Sequence, residues 1–126
     1  MEEDKQKINS FTSLFAWQEA HKLTLLVYKL VLKFPEYEKF GLCDQTRRAV
    51  SSVSANISEG FGRHTYKDKI HFYYIANGSL TETQNHLIVA KDLGYINEAD
   101  FDNSMFQIMI TSKLINGLIK SIYGKN

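Results

Sequence analysis

Four long stretches of this sequence carry apolar residues at every third or fourth position, and short breaks separate them. Such spacing is typical of one buried face of an α-helix. The stretches cover residues 14–34, about 40–61, about 66–93, and a last segment that begins after Asn97 and ends near Tyr123. No alternation of apolar and polar residues bounded by turns competes with this pattern. The sequence therefore predicts an all-α fold, an antiparallel up-and-down four-helix bundle.

Capping residues predict where these helices begin and end. Pro35 ends the first helix, because proline disfavours helical geometry at the residue before it. Residues 36–39 are compatible with a turn of their own before the second helix. Gly94 stands where the third helix needs a C-terminal cap. The predicted N-terminal caps are Ser13, Thr65 with Asp68 three residues later, and Asn97 with Asp100.

A length of 126 residues is typical of one domain. We assign residues 1–12 to a flexible N-terminal lead-in and residues 13–124 to a single bundle domain. The first seven residues lack the apolar core of a signal peptide, and the longest apolar stretch, residues 23–34, is too short and too charged to cross a bilayer. The single cysteine, Cys43, excludes an internal disulfide and fits a reducing compartment. We therefore expect a cytoplasmic protein without a membrane partner.

Known catalytic and metal-binding patterns are missing from the sequence. The four histidines, at positions 21, 64, 71 and 86, include no pair four residues apart, so they do not predict a metal site. Cys43 has no base beside it, and the chain has no phosphate-binding loop and no nucleophile elbow. One helical class of ribonucleases uses an arginine four to six residues before a histidine, and neither His64 nor His71 has that spacing from Arg63. We predict no catalytic residues, no metal and no cofactor.

The second helix carries a stripe of polar residues on one face, because its members recur at helical spacing. The stripe consists of Gln45, Arg48, Ser52, Asn56, Glu59 and Arg63. One interpretation is a polar network inside the bundle. In this network Arg48, Asn56 and Glu59 contact one another and Glu82 on another helix, and Gln45 belongs to the same network. Each of these groups is costly when it is buried alone.

The other interpretation is a surface that meets a phosphate backbone or another partner. Its residues would be Arg47, Arg48, Arg63 and Lys67. Together with Lys69 they outnumber the acidic residues Asp44, Glu59 and Asp68, so this region is locally positive. The whole chain, with 15 basic and 14 acidic residues and a net charge of +1, is not a strongly basic nucleic-acid clamp. The two interpretations are compatible.

Aromatic residues are abundant, with eight phenylalanines, seven tyrosines and one tryptophan. The run at residues 72–74 (FYY) spans more of a helix circumference than one buried stripe needs. Exposed aromatic side chains on a helix more often belong to a subunit interface than to a base-stacking platform. We therefore expect the protein to form oligomers.

Several sequence blocks resemble the four-helix bundle family named for proteins encoded in intervening sequences of large-subunit ribosomal RNA. The resemblance covers residues 11–120 and includes relatives that are accessory proteins of diversity-generating retroelements. The family usually has a proline where this chain has Ser54. A proline there would remove a backbone N–H donor and could bend the second helix, whereas Ser54 keeps that donor. We therefore expect the second helix to be straighter, or to bend only through its serines. The blocks are WQEAH at 17–21, FP at 34–35, GL at 41–42, Gln45, RRAV at 47–50, ANISEG at 55–60, Arg63, IANGSLTE at 75–82 and LGYI at 93–96.

This resemblance implies an antiparallel four-helix bundle that assembles into a ring-like homopentamer and is not an enzyme. The retroelement relatives are basic and bind nucleic acid and a reverse transcriptase. This chain lacks their positive excess, since five copies would carry a charge of about +5. The sequence therefore predicts a non-enzymatic oligomeric protein that acts through a macromolecular partner, with RNA ahead of DNA or a protein. The alternatives are a structural assembly module and, last, a ribonuclease that uses His64 or His71.

Overall fold

A computed structural model describes residues 10–124 and shows four helices. Helix α1 spans Phe15–Val31, α2 spans Leu42–Phe61, α3 spans Tyr66–Asp92, and α4 spans Glu98–Tyr123. Each helix packs on the next and α4 packs back on α1, whereas the diagonal pairs make no close backbone approach within these residues. The all-α antiparallel up-and-down bundle is thus confirmed. Residues 1–9, which form most of the predicted lead-in, lie outside the described residues.

The core lies between the four helices, and each of them contributes apolar side chains to it. Four of the largest side chains are completely buried, one from each helix: Leu23, Ile57, Leu87 and Ile115. Buried hydroxyl groups are also satisfied, because they donate to carbonyl oxygens one turn earlier in their own helix. The Thr83 hydroxyl donates to the Ser79 carbonyl at 2.8 Å, and the Thr111 hydroxyl donates to the Gln107 carbonyl at 2.8 Å.

The predicted cap of α1 at Ser13 is wrong. The helix begins one residue later, at Phe15, and its N-cap position is Leu14, which makes no side-chain cap hydrogen bond. A short 3₁₀ turn over Phe11–Ser13 precedes it, and the Ser10 hydroxyl caps that turn by accepting the Thr12 amide at 3.2 Å. Ser10 therefore caps the 3₁₀ turn, Ser13 is the last residue of that turn, and α1 begins without a side-chain cap.

Helix α1 also ends earlier than Pro35 alone predicts. After Val31 the backbone hydrogen bonds span three residues instead of four, because the amides of Leu32, Lys33 and Phe34 each donate to the carbonyl three residues earlier. A second 3₁₀ turn follows over Glu36–Glu38, as residues 36–39 suggested. Helix α2 then begins at Leu42, where the Glu38 carboxylate accepts the first helical amide at 3.1 Å.

The capping signals of α3 and α4 are confirmed. The Thr65 hydroxyl accepts the Asp68 amide at 3.1 Å, and the Asn97 side chain accepts the Asp100 amide at 2.8 Å. At the end of α3, Gly94 has a φ of +80°, a conformation that favours glycine. The Tyr95 amide then donates to the Ala90 carbonyl at 2.8 Å, which closes the helix as a Schellman motif.

Replacing Thr65 by alanine should lower the free energy of unfolding by about 1 kcal/mol, because the first turn of α3 loses its side-chain acceptor. Urea titration followed by circular dichroism measures this change. The matched control is Thr81→Ala, which removes an exposed hydroxyl that only donates back to the Asn77 carbonyl inside α3. We expect that control to stay within about 0.5 kcal/mol of the parent protein. Equal losses in both variants would contradict a capping role for Thr65.

Candidate functional site

The four basic residues predicted to meet a partner lie at the two ends of α2. Arg47 and Arg48 lie in its second turn, whereas Arg63 lies two residues beyond its end and Lys67 lies in the first turn of α3. At a rise of 1.5 Å per residue, Arg47 and Arg63 are roughly 24 Å apart along the helix axis. The structure therefore does not bring them into one compact pocket, and they bracket one long helix instead.

At the first of these ends, the two arginines have different surroundings. The Arg48 side chain is exposed and makes an ion pair with Asp44 one turn earlier, with 3.1 Å between Nε and Oδ2. Arg47 lines a small cleft together with Pro35, Glu36, Lys39 and Cys43. Burial raises the pKa of the Cys43 thiol, so this cysteine stays protonated and is not an activated nucleophile.

At the other end, the Arg63 guanidinium is held in place by two neighbours. It makes an ion pair with Glu59, and it lies over the ring of Phe72 at 4.5 Å from the ring centroid. About two-fifths of the Arg63 side chain, 41%, nevertheless stays exposed. An open cleft of about 380 Å³ adjoins it, lined by Ser58, Glu59, Gly62, Arg63, His64 and Asp68. This arginine is thus oriented by the protein while it stays accessible to a partner.

The middle of α2 contacts α3 through small hydroxyl and amide groups. The Asn56 amide donates to the Ser52 carbonyl at 2.8 Å and to the Ser52 hydroxyl at 2.9 Å. That hydroxyl lies 2.9 Å from the hydroxyl of Ser79 on α3. This link between helices was not predicted, although Ser79 belongs to the block at residues 75–82.

The remaining residues of the predicted network lie apart from this link. Glu82 contacts His86 on its own helix, with 3.3 Å between Oε2 and Nε2. Among residues 10–124 its carboxylate makes no ion pair with Arg48, and no hydrogen bond with Asn56 or Glu59. Gln45 is exposed near the start of α2. The structure thus brings Glu59 to Arg63 and Asn56 to Ser52, and leaves Gln45 and Glu82 outside both pairs.

Lys69 serves the fold more than the surface. Its ammonium group donates to the Phe61 carbonyl at 2.7 Å, near the C-terminal end of α2 where carbonyl groups lack helical partners. Burial lowers the pKa of this amine. The accessible positive charge at this end of α2 therefore comes from Arg63 and Lys67.

The histidines show no clustering that suggests catalysis. His64 and His71 are both exposed, and His71 touches the edge of the Phe72 ring with 5.2 Å between centroids. His21 stacks on Trp17. Within residues 10–124, no group of three or more histidine, cysteine, aspartate or glutamate side chains could hold a metal ion. None of the described helices is long and apolar enough to span a bilayer.

The aromatic side chains divide between core and surface. In the run at residues 72–74, Tyr73 is buried, while Tyr74 is half exposed and its hydroxyl lies 3.1 Å from the hydroxyl of Tyr123. Further aromatic rings are still more exposed, namely Phe15, Tyr37 and Phe40. The expectation that some aromatic residues reach the surface of a single chain is confirmed.

Comparisons with known proteins identify a family and a similar solved structure. Residues 12–117 match the family described as 23S rRNA-intervening sequence protein. The fold is similar to a crystal structure of a protein with unknown function from the S23 ribosomal protein family of Bacteroides thetaiotaomicron. The TM-score is 0.74 and the identity 23%, and the match covers 83% of this chain and 98% of that one. Comparison with curated proteins found no match.

Proposed function

The chain belongs to the 23S rRNA-intervening sequence protein family, and from this premise we propose that it is a non-enzymatic oligomeric protein that binds RNA as its macromolecular partner. One observation carries the proposal. Basic side chains lie near both ends of α2. Arg48 and Arg63 are at the two ends of its polar stripe, Arg47 is next to Arg48, and Lys67 follows Arg63 in the first turn of α3. A separation of roughly 24 Å corresponds to the axial rise of about seven base pairs of a duplex, at about 3.4 Å each.

The middle of this stripe supports contact with an extended partner. Between the two basic ends, the positions of α2 that reach solvent or the edge of α3 carry mostly short side chains, namely Ser51, Ser52, Ser54, Ala55 and Ser58, and the exposed acidic Glu59 among them is paired with Arg63. A backbone of phosphates can approach such a surface closely, and serine hydroxyls are common phosphate donors. Since the whole chain has a net charge of only +1, attraction to RNA must come from this local arrangement.

Reversing the charge at both ends, with Arg47→Glu and Arg63→Glu together, should lower the affinity for RNA by about tenfold or more at moderate salt. It should also reduce the salt slope of log K by about 1.5 to 2, which corresponds to two lost phosphate contacts. Fluorescence anisotropy of a labelled RNA over a salt series measures both quantities. Circular dichroism checks that the fold is unchanged.

The matched control carries the same change of net charge elsewhere. Lys22→Glu with Lys120→Glu replaces two exposed lysines on α1 and α4, away from the stripe. We expect this variant to keep most of its RNA affinity. If both double variants lose affinity equally, the effect is one of overall charge, and the assignment of the α2 stripe fails.

The same RNA, recovered after incubation with the protein, tests the non-enzymatic part of the proposal. We expect it to be intact across a range of pH and added divalent metal ions. Cleavage that disappears in the His64→Ala/His71→Ala variant would overturn this part and favour the ribonuclease alternative.

A homopentamer is the assembly that the family resemblance suggests, and the exposed apolar residues favour some self-association. A groove of about 660 Å³ between α1 and α4 is lined mainly by apolar groups, among them Leu14, Phe15, Leu114 and Leu118. Light scattering after size-exclusion chromatography should give five times the chain mass of 14.5 kDa. A monomer would remove the ring from the proposal and leave the RNA-binding stripe to be tested separately.

A further inference from the structure

A small cleft lies between the start of α3 and the end of α4. It has a volume of about 290 Å³ and is lined by Tyr66, Lys67, Ile70 and Tyr123. Ile70 is half-buried against the core, whereas the two rings are open to solvent, since Tyr66 is 44% exposed and Tyr123 is 55% exposed. We call this site the tyrosine cleft. It brings two accessible aromatic rings and one cation together.

Both rings belong to ordered parts of the fold. Tyr66 is the first residue of α3 and directly follows Thr65, whose hydroxyl caps the helix by accepting the Asp68 amide at 3.1 Å. The Tyr123 hydroxyl lies 3.1 Å from the hydroxyl of Tyr74, which is two turns further along α3. This contact joins the end of α4 to α3. A site whose parts are held in place before binding loses little conformational freedom when a partner binds.

The charge at the tyrosine cleft is positive. Lys67 is exposed, and within residues 10–124 its ammonium group makes no ion pair. Lys120, one turn before Tyr123 on α4, is also exposed and makes no ion pair within the same range. The nearest acidic residue in sequence, Asp68, lines the neighbouring cleft of Arg63 instead. A partner that carries negative charge is therefore favoured here.

The tyrosine cleft is also continuous with the basic end of α2. Lys67 is one of the four basic residues of the proposed RNA surface, and it lies four residues after Arg63. The same lysine lines the tyrosine cleft. A strand whose phosphates contact Arg63 and Lys67 is thereby brought to the two tyrosine rings.

We propose that the tyrosine cleft binds an unpaired base of the bound RNA, which stacks on the tyrosine rings while Lys67 contacts its phosphate. This inference rests on the proposed function, since Lys67 belongs to both sites. Aromatic side chains combined with cations are the usual means of binding unpaired nucleotides. Lysine is depleted in protein–protein interfaces, whereas here it is one of the four residues that line the cleft.

The test uses the full-length protein with a blunt RNA duplex and with the same duplex extended by a short single-stranded overhang. The overhang consists either of uridines or of abasic nucleotides, which carry the same phosphates but no base to stack. The parent protein should bind the uridine overhang roughly tenfold more tightly than the abasic one, as expected for one stacked base. Fluorescence anisotropy measures these affinities, with the overhang at the 3′ or at the 5′ end, and we expect the preference for at least one end.

The variants separate ring stacking from apolar contact. Tyr66→Leu/Tyr123→Leu keeps apolar side chains but removes both rings, so it should lose the preference for uridine and bind the blunt duplex like the parent. Tyr66→Phe/Tyr123→Phe keeps the rings and should keep the preference. The matched control, Phe15→Leu/Phe106→Leu, removes two other exposed rings on α1 and α4 and should also keep it. A preference that survives in the leucine variant of the cleft, or that is lost equally in the control, would overturn the stacking site.

Three further outcomes separate this inference from the proposed function. If the parent protein binds none of the duplexes, the proposed function fails and the tyrosine cleft fails with it. If the parent binds the blunt duplex and does not distinguish the two overhangs, the proposed function stands and the stacking site is overturned. A lower solution mass of the Tyr66→Leu/Tyr123→Leu variant in light scattering would assign the cleft to a contact between copies of the chain, which also overturns it.

Discussion

Replacing Leu23 by alanine should lower the free energy of unfolding by about 3 kcal/mol, within the range of roughly 2–5 kcal/mol for buried leucines. Leu23 is completely buried in α1, where it meets the core formed with α2, α3 and α4. The loss combines the transfer of its removed methyl and methylene groups with the cavity that remains, since a closely packed core relaxes only in part. Urea unfolding followed by circular dichroism measures this change, and the m-value should stay constant.

The same substitution at Leu32 provides the control. Leu32 lies one residue beyond α1 and is 82% exposed, so its removal leaves no cavity. We expect Leu32→Ala to change the free energy of unfolding by less than about 0.5 kcal/mol. Similar losses at both positions would show that the core is not organised around Leu23.

Local signals account for much of the fold that the sequence predicted. The caps at Thr65 and Asn97 and the glycine at position 94 each act within a few residues, so their roles follow from sequence spacing alone. The start of α1 depends on more distant contacts. Phe11 packs edge-on against Trp17 with 5.3 Å between ring centroids, and the turn that allows this contact places the capping serine at position 10. Such packing is not visible in a capping pattern.

The candidate site shows a similar division. The sequence alone places Arg47 near the start of the second helix and Arg63 just beyond its end, and helical spacing favours pairs four residues apart, such as Arg63 with Glu59. A contact between helices depends on how each helix is rotated about its axis. For that reason the sequence predicted a link to Glu82, whereas the structure makes the link at Ser79.

The two exposed rings at Tyr37 and Phe40 were not singled out from the sequence. Their neighbour Phe34 is the last residue of the apolar pattern in the first stretch and is buried, whereas that pattern does not extend to Tyr37 and Phe40. Their exposure follows from the 3₁₀ turn, which Glu38 fixes through its bonds to Leu42 and Tyr95. The Tyr95 bond joins positions 57 residues apart, so no local pattern reveals it.

Replacing Gly60 by valine should lower the free energy of unfolding by about 3 kcal/mol, at the upper end of the usual cost of overpacking. A β-carbon at this position would lie 2.7 Å from Cε1 of Tyr73 and 3.1 Å from Cβ of Phe72. Tyr73 is only 3% exposed, so its ring has no open space to move into. Thermal and urea unfolding measure the loss. The Phe72 ring also lies against the Arg63 guanidinium, so a displaced Phe72 would shift this arginine. We therefore expect RNA affinity to fall as well, at temperatures where the variant is folded.

The identical substitution at Gly78 separates close helix packing from the intrinsic effect of valine in a helix. Gly78 lies in the middle of α3, is exposed, and has no atom within 4 Å of the position a β-carbon would take. Valine has a slightly better helix propensity than glycine, so Gly78→Val should leave stability unchanged or raise it by about 0.5 kcal/mol. A comparable loss in both variants would mean that α2 and α3 do not need the close approach at Gly60. A loss confined to Gly60→Val would show that this glycine is needed for the α2–α3 contact that supports Arg63.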